Sequence, residues 1–267
     1  MKWDYWIALY VNTHCVARGL RALTIKAYAA TLKGFRQYAL QTWPERGPDQ
    51  LSACDLLQYL EHLRKERHNG ASALNRQATV LRNFYRAIVA MGHLEPRLNP
   101  MAYFPKIKPA ARKLPNTLDR EEVGRLLDQP DCATVLGLRD RAVLTLLYGT
   151  GIRSSECAGL TEKDINWEDN TIRVSGKGGH ERTIPLNDEV VHVLRQYRLA
   201  RGGAKAHEPF FRSREGGPLS RNAIYERVRK AAHKARIPKR VSPHRLRHTF
   251  ATHLVQEGVG LVTQPVW

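Results

Sequence analysis

Apolar side chains recur every three or four residues through the first hundred positions, which is the spacing of one face of an α-helix. Four helices are predicted there, with apolar stripes at Trp3, Trp6, Ile7, Tyr10 and Val11, at Ile25, Tyr28, Leu32, Phe35 and Tyr38, at Leu56, Leu57, Leu60 and Leu63, and along residues 71–91. Thr24 and Ser52 are the expected N-caps of the second and third helices. Residues 1–105 are therefore expected to form a compact four-helix domain.

The pattern changes at a proline-rich, cationic stretch. Its prolines are Pro96, Pro100, Pro105, Pro109 and Pro115, and the basic residues among them include Lys106, Lys108, Arg112 and Lys113. Proline favours an extended chain and interrupts helices and strands. Residues 106–115 are therefore predicted to be an extended linker between two domains.

The remainder, residues 116–267, mixes helical and strand patterns. Helices are predicted after the Thr117-Leu-Asp cap, with the stripe Val123, Leu126 and Leu127, over residues 141–148, and over residues 188–200, 221–236 and 243–257. Two short strands, residues 171–174 and 182–186, flank a glycine-rich turn at 176–179 and indicate a hairpin. The predicted fold is mainly α with a small antiparallel β-sheet, an α+β protein.

The charge of the chain indicates a polyanionic partner. The 267 residues contain 43 Lys and Arg against 25 Asp and Glu, which gives a net charge of +18, and both halves of the chain are basic. Because 42% of the residues are hydrophobic, the chain can bury cores, and folded surfaces rather than a disordered tail carry this charge. Nucleic acid is the expected partner.

Several other classes of protein are excluded by the composition. No window approaches the ~20 consecutive apolar residues of a membrane-spanning helix, and the first residues do not form a signal peptide. The cysteines Cys15, Cys54, Cys132 and Cys157 are scattered without metal-ligand spacing and indicate free thiols in a reducing compartment. A cytoplasmic protein without metal or cofactor is expected.

The first candidate cluster is Gly149-Thr-Gly-Ile-Arg-Ser-Ser-Glu156, where a glycine-rich turn places Arg153 at the start of a helix. A guanidinium in that position can bind an anion. Taken alone, the pattern fits a helix cap with an exposed arginine more simply.

The second candidate is Lys177, at the tip of the predicted hairpin. The glycines around it let the backbone approach a ligand closely. The spacing of a Walker phosphate-binding loop is absent, and a solvated lysine in a turn is the alternative.

The third cluster runs from Ser242 to Leu254, where a Ser-Pro pair starts a helix. His244 and Arg247 share one face of this helix, so both can reach one phosphate. His244 and His248 also have the i, i+4 spacing of a zinc site, but the zinc pattern requires a glutamate where Arg245 stands. No metal site is therefore predicted.

These residues together indicate metal-free chemistry on a phosphodiester. Arginines can offset the charge that grows on non-bridging oxygens, and lysine and histidine can transfer protons. The paired carboxylates that would hold Mg²⁺ are missing, and so is a nucleophile.

At this point the sequence resembles a known family. GTGIRSSE, the hairpin lysine and HRLRHTFATHL, in this order, resemble the tyrosine recombinases, which include phage integrases and the Xer-type and integron-type recombinases. The resemblance spans nearly the whole chain and implies a SAM-like core-binding domain followed by a catalytic domain. It also implies that a tyrosine attacks a DNA phosphate, leaving a 3′-phosphotyrosyl bond and a free 5′-hydroxyl.

The resemblance implies a role for each matching residue. Arg153 and Arg247 would clamp the phosphate, Lys177 would be the general acid toward the 5′-oxygen, and His244 is the histidine of the HxxR box. Glu156 and His248 match supporting positions and are expected to be structural. The further expected DNA contacts are Arg76, Arg82 and Arg86 on the fourth helix and Lys106, Lys108 and Lys113 in the linker.

Family sequences continue past HTFATHL with a helix, an LGH-type motif and the nucleophilic tyrosine. Here the last of the ten tyrosines is Tyr225, upstream of the HxxR box. The catalytic domain is therefore expected to be C-terminally incomplete and to lack its own nucleophile, which also puts the assembly of a recombinase tetramer in doubt.

The expected function is site-specific recombination or integration of DNA, including that of mobile elements, with double-stranded DNA and other recombinase subunits as partners. Because no nucleophile is identified, strand cleavage by this chain alone is not expected. The alternative is a non-catalytic DNA-binding module that occupies or regulates recombination sites.

Overall fold

The computed structural model describes residues 2–105, 107, 117–176 and 180–258. The chain divides into two units, Met1–Arg112 and Lys113–Trp267, each with its own hydrophobic core. Of the predicted linker at residues 106–115, only Ile107 belongs to the described residues, so the linker and its boundaries stay a prediction. No helix among the described residues is long and apolar enough to cross a membrane.

The N-terminal unit is built from helices, and the four predicted helical segments are all present. They are α1 (Lys2–Ala8), which continues through a π-helix (Leu9–His14) into α2 (Cys15–Ala17), then α3 (Ala22–Thr42), α4 (Ala53–Lys65) and α5 (Ala71–Ala90), with 3₁₀ turns at Pro48–Gln50 and Pro96–Leu98. Phe35, Leu56 and Phe84 come from the predicted stripes and have no exposed surface. Ser52 is the N-cap of α4, since its Oγ accepts a hydrogen bond from Asp55 N at 3.3 Å.

Two details of the predicted helices are wrong. Helix α3 begins at Ala22 with Arg21 in the N-cap position, so Thr24 lies inside the first turn and does not cap it. Leu57 is 44% exposed, because a step of one residue along α4 turns its side chain away from the core that the neighbouring Leu56 enters.

The C-terminal unit combines helices with a small sheet. Its elements are α6 (Arg120–Leu127), α7 (Val135–Thr150), α8 (Ser154–Gly159), a 3₁₀ turn (Glu162–Asp164), β1 (Ile165–Asn166), β2 (Thr171–Ser175), β3 (Glu181–Pro185), α9 (Asp188–Ala200), α10 (Arg221–Lys234) and α11 (Pro243–Gln256). The strands are antiparallel in the order β1-β2-β3, with Ile172 opposite both Ile165 and Ile184. The predicted hairpin is present, and β1 is an additional strand too short to show an alternating pattern. The predicted fold class is confirmed.

Helix α7 lies at the centre of this unit's core. Val143, Leu144 and Leu147 have no exposed surface. Gly149, one residue from its end, lies so close to α9 that an added Cβ would be 2.6 Å from Val190 Cγ2. The helix is longer than predicted because it starts at Val135, where Thr134 accepts a hydrogen bond as its N-cap.

The guanidinium of Arg139, on α7, is buried in the same unit with a side chain that is only 2% exposed. Its Nε and Nη2 donate to Asp140 Oδ1 at 3.0 and 2.7 Å, and its Nη1 donates to the carbonyl oxygen of Arg212 at 2.9 Å. A charge can remain inside a core when a counter-ion and hydrogen bonds replace the lost water, as they do here.

The start of the C-terminal unit is hydrogen-bonded to helix α11. Thr249 Oγ1 accepts from Leu118 N at 3.1 Å, and His253 Nε2 lies 3.1 Å from the carbonyl oxygen of Leu118. A carbonyl oxygen only accepts, so His253 Nε2 is the donor to Leu118, and His253 Nδ1 lies 2.9 Å from the Tyr148 hydroxyl. These bonds hold α7, α11 and the backbone of Leu118 together.

Candidate functional site

The position of Arg153 is set by the end of helix α7. Gly151 ends this helix in the left-handed conformation, with φ of 62°, and Arg153 then becomes the N-cap of α8. An added Cβ on Gly151 would lie 2.5 Å from the Phe250 ring of α11. Glycine is therefore required here both by the backbone and by the close approach of α11.

Replacing Gly151 with alanine is expected to destabilise the C-terminal unit by about 2 kcal/mol or more, because the left-handed conformation and the contact with Phe250 both become strained. Urea unfolding of the two proteins measures the difference. The control is Gly124→Ala in α6, where an added Cβ meets nothing within 4 Å and helix propensity favours alanine by about 1 kcal/mol. Equal stability of Gly151→Ala and the unmodified chain would contradict the expectation.

Glu156 lies beneath Arg153 with a side chain that is 2% exposed. Its Oε2 accepts from Arg153 N at 2.8 Å, and its Oε1 accepts from Arg153 Nη1 at 3.1 Å. Arg182 of β3 adds a two-pronged ion pair, with Nη1 to Oε1 at 3.0 Å and Nη2 to Oε2 at 2.9 Å. Burial alone raises the pKa of Glu156, but the hydrogen bonds from Arg182 and Arg153 outweigh it and hold the pKa below its ordinary value.

Arg247 approaches the same turn from helix α11. Its Nη1 donates to the carbonyl oxygen of Gly151. Burial, and then the nearby charge of Arg153, lowers the pKa of Arg247, although a guanidinium stays charged in proteins. Two positive groups are thus held close together beside Glu156, and a further anion bound between them would be attracted by both.

Two histidines stand beside the arginines on the first turns of α11. His244 and His248 are both exposed, and their Nε2 atoms are 2.8 Å apart, so one ring donates and the other accepts. Partial burial, and then the positive groups around it, lower the pKa of His244. In the free protein His244 is therefore held toward its neutral form, able to accept a proton when an anion arrives.

The structure brings most of the predicted catalytic and supporting residues together. Arg153, Glu156, His244, Arg247 and His248 surround the junction of α7, α8 and α11. Lys177 lies outside the described residues, and its predicted role stays a prediction.

The predicted DNA contacts lie elsewhere. Arg76, Arg82 and Arg86 are on α5 of the N-terminal unit, where Arg76 and Arg86 are exposed and Arg82 is half-buried. Lys106, Lys108 and Lys113 lie outside the described residues. The prediction about the tail of the chain, from residue 259 onward, also falls outside them and stays a prediction.

Sequence reasoning missed Arg182. The sequence pattern predicts only that Arg182 is part of a strand, because its relation to Glu156, 26 positions earlier, depends on how β3 packs beside α8. The usable signal was an arginine just after the glycine-rich stretch of the hairpin.

The chemistry available to this arrangement follows from its charges. Arg153 is 38% exposed on its side chain and, with Arg247, offers guanidinium groups to one tetrahedral anion. His244 can give or accept a proton within the same cluster. The arrangement suits the binding and polarisation of a phosphodiester.

Comparison with protein families gives two matches that together span most of the chain. Residues 116–263 match the phage integrase family, and residues 7–92 match the N-terminal SAM-like domain of phage integrases. These matches confirm the resemblance noted from the sequence motifs.

Similar proteins agree with these matches. Tyrosine recombinase XerD of Halalkalibacterium halodurans is 34% identical over 259 residues, which cover 94% of this chain and 84% of that protein. Tyrosine recombinase XerC of Xylella fastidiosa is 35% identical over 243 residues, which cover 90% of this chain and 80% of that protein.

Two solved structures share the fold. Lambda integrase bound to DNA has a TM-score of 0.75 at 19% identity, covering 96% of this chain and 88% of that one. A lambda integrase tetramer bound to a Holliday junction has a TM-score of 0.73 at 18% identity, covering 96% and 74% of the two chains.

Proposed function

The chain belongs to the phage integrase family of tyrosine recombinases, and from this membership we propose that it binds double-stranded DNA and holds one phosphodiester between Arg153 and Arg247 for strand exchange. The observation that carries the proposal is that Arg153, at the start of α8, and Arg247, on α11, lie near each other, with Arg247 bonded to the Gly151 carbonyl and Arg153 to Glu156. A guanidinium pair binds two non-bridging oxygens of a phosphate and offsets the charge that grows on them during reaction.

His244 takes the proton-transfer role in this proposal. Its lowered pKa in the free protein rises when a phosphate offsets the neighbouring positive charges, because an anion favours the charged imidazolium. Lys177, by its resemblance to the hairpin lysine of the family, would protonate the leaving 5′-oxygen. That these 267 residues contain no nucleophilic tyrosine stays a prediction, and binding of the phosphate, unlike cleavage, does not depend on it.

The N-terminal unit supplies the second DNA-binding surface in our proposal. Arg82 and Arg86 are four residues apart on one face of α5, and no carboxylate among the described residues pairs with them or with Arg76. The basic linker residues Lys106, Lys108 and Lys113 would follow the DNA backbone between the units. Residues 1–105, 106–115 and 116–267 would then be the core-binding domain, the linker and the catalytic domain.

Other copies of this chain are further proposed partners, since the lambda integrase of similar fold is a tetramer on a Holliday junction. We place the protein in the cytoplasm, where DNA is accessible. Free thiols at Cys15, Cys54, Cys132 and Cys157 are compatible with a reducing compartment.

A test of the phosphate clamp can use duplexes enriched from random DNA by the unmodified chain. One phosphate at a time is replaced by an uncharged methylphosphonate, and affinity is measured for the unmodified chain, Arg153→Ala and Arg247→Ala. At one position, we expect the replacement to weaken binding of the unmodified chain by about 1.5–3 kcal/mol, because charge-assisted hydrogen bonds are lost. The same replacement should weaken binding of each variant less, since one of the two guanidinium partners of that phosphate is already gone.

The control variant is Arg173→Ala on β2, whose guanidinium pairs with Asp164 and Glu181. It should respond to the methylphosphonate as the unmodified chain does. If no phosphate position depends on Arg153 or Arg247, the proposed clamp is wrong.

A further inference from the structure

The ion pair between Arg182 and Glu156 is bidentate and partly buried, unlike most ion pairs on a protein surface. Both carboxylate oxygens of Glu156 accept from the two terminal nitrogens of Arg182, at 3.0 and 2.9 Å, while the glutamate side chain is only 2% exposed. Arg182 itself is 32% exposed, so the pair closes the glutamate off from water at its outer edge. A parallel two-pronged pair of this kind fixes orientation as well as charge.

The same carboxylate also contacts the proposed phosphate ligand. Glu156 Oε1 accepts from Arg153 Nη1 at 3.1 Å, and the remaining guanidinium nitrogens of Arg153 make no hydrogen bond to any described residue. A guanidinium that gives one nitrogen to a carboxylate keeps its other edge for a second anion. The strength of the attraction between Glu156 and Arg153 therefore determines how many guanidinium nitrogens of Arg153 can bind a DNA phosphate.

Charge balance sets that attraction. Arg153, Arg182 and Arg247 surround a single carboxylate, Glu156. With Arg182 in place, both oxygens of Glu156 already accept from a guanidinium. Without it, the buried carboxylate would lose two of its hydrogen bonds and draw Arg153 further inward, since a buried charge with too few partners is costly.

We propose that Arg182 is a positioning residue that occupies Glu156 and thereby leaves the outer edge of the Arg153 guanidinium free to bind the DNA phosphate. This role rests on the proposed phosphate clamp. Arg182 does not itself touch the phosphate in this arrangement, because both of its terminal nitrogens face Glu156.

Arg182 also attaches the sheet to the site. It lies on β3, the second strand of the hairpin, two residues after His180, whose carbonyl oxygen accepts from Gly176 N at 2.7 Å. A Cβ built on Gly176 would lie 3.5 Å from Arg182 Nη1 and 3.9 Å from Glu156 Oε1. The ion pair therefore holds the end of the hairpin at Gly176 and Arg182 against the start of α8.

The first experiment needs no DNA. Selective ¹³C labelling of glutamate carboxyls allows Glu156 to be titrated by NMR in the free protein. In Arg182→Gln we expect the pKa of Glu156 to rise, because burial then acts with fewer opposing hydrogen bonds. In Arg173→Gln, a matched change on the adjacent strand, the pKa of Glu156 should stay where it is in the unmodified chain.

The second experiment measures the Arg153–phosphate coupling with the methylphosphonate duplex, as the ratio of affinities for charged and uncharged DNA. Arg182→Gln should reduce this ratio by about tenfold or more, the size of one charge-assisted hydrogen bond. Adding Glu156→Gln to Arg182→Gln should restore most of it, because a neutral amide no longer draws Arg153 inward. Unfolding midpoints of all variants identify any that lose stability instead, and such a variant would not be rescued by removing a second partner.

The outcomes separate the two proposals. If the unmodified chain shows no Arg153–phosphate coupling, the clamp is wrong, and the positioning role that rests on it is wrong as well. This holds even if the NMR titration shows that Arg182 keeps Glu156 ionised. A clamp that is present in the unmodified chain and undiminished in Arg182→Gln would overturn the positioning role alone. So would a double variant as weak as Arg182→Gln, or an unchanged Glu156 titration.

Discussion

Raising the salt concentration from 50 to 200 mM is expected to weaken binding of this chain to double-stranded DNA by about 10³–10⁵-fold, as for proteins that contact roughly six to ten phosphates. The net charge of +18 is the physical reason, because each phosphate that a lysine or arginine neutralises releases condensed counter-ions from the DNA. Basic residues that pair with no carboxylate among the described residues, such as Arg76 and Arg86, contribute most, since they lose no such ion pair on binding.

Fluorescence anisotropy with a labelled duplex, repeated over a series of salt concentrations, gives the slope of log K against log salt. Arg86→Ala should reduce the slope by about one counter-ion. Arg36→Ala is the matched control in the same unit, because Arg36 already pairs with Asp4 at 2.7 Å, and it should leave the slope nearly unchanged. A flat salt response of the unmodified chain would contradict the phosphate-contact interpretation.

Replacing Asp140 with alanine is expected to destabilise the C-terminal unit by about 3–5 kcal/mol, the typical cost of leaving a buried charge without its partner. The charge in question is Arg139, whose side chain is 2% exposed and whose Nε and Nη2 both donate to Asp140. The hydrogen bond from Arg139 to the Arg212 carbonyl cannot replace a counter-ion.

Urea unfolding, followed by the fluorescence of Trp167 in a chain whose other tryptophans are replaced by phenylalanine, reports on this unit. The control is Asp128→Ala. Asp128 also pairs with an arginine of α7, Arg141 at 2.9 Å, but it is 69% exposed, so its loss should cost less than about 1 kcal/mol. Similar costs for the two substitutions would mean that the burial of Arg139 does not make its partner essential.

Local signals in the sequence were sufficient for most of the fold. The apolar stripes identify the helices of both units, and Ser52 and Ser242 cap α4 and α11 as serine caps should. The hairpin follows from its alternating strands and glycine-rich turn. In the site, the spacing of His244 and Arg247 on one helix is a local property and could be deduced directly.

Long-range packing accounts for what the sequence did not reveal. Whether Leu57 or Leu56 faces the core depends on the neighbouring helices, and β1 exists only because β2 offers its backbone. The contact of Arg153 with Glu156 is local, but the arrival of Arg182 from β3 and of Arg247 from α11 is not. The site is assembled from four elements, and the sequence pattern predicts the residues within each element but not the contacts between elements.

The bonds from Leu118 to Thr249 and His253 join positions 131 and 135 residues apart, and this separation has a consequence during protein synthesis. The N-terminal unit carries its own core and can fold as soon as it leaves the ribosome. The C-terminal unit cannot complete its fold before α11 is synthesised, because α11 packs against α7 and is hydrogen-bonded to Leu118. Arg153 is thus made about a hundred residues before Arg247 reaches it, and the nascent chain carries no complete phosphate clamp until α11 has been translated and packed.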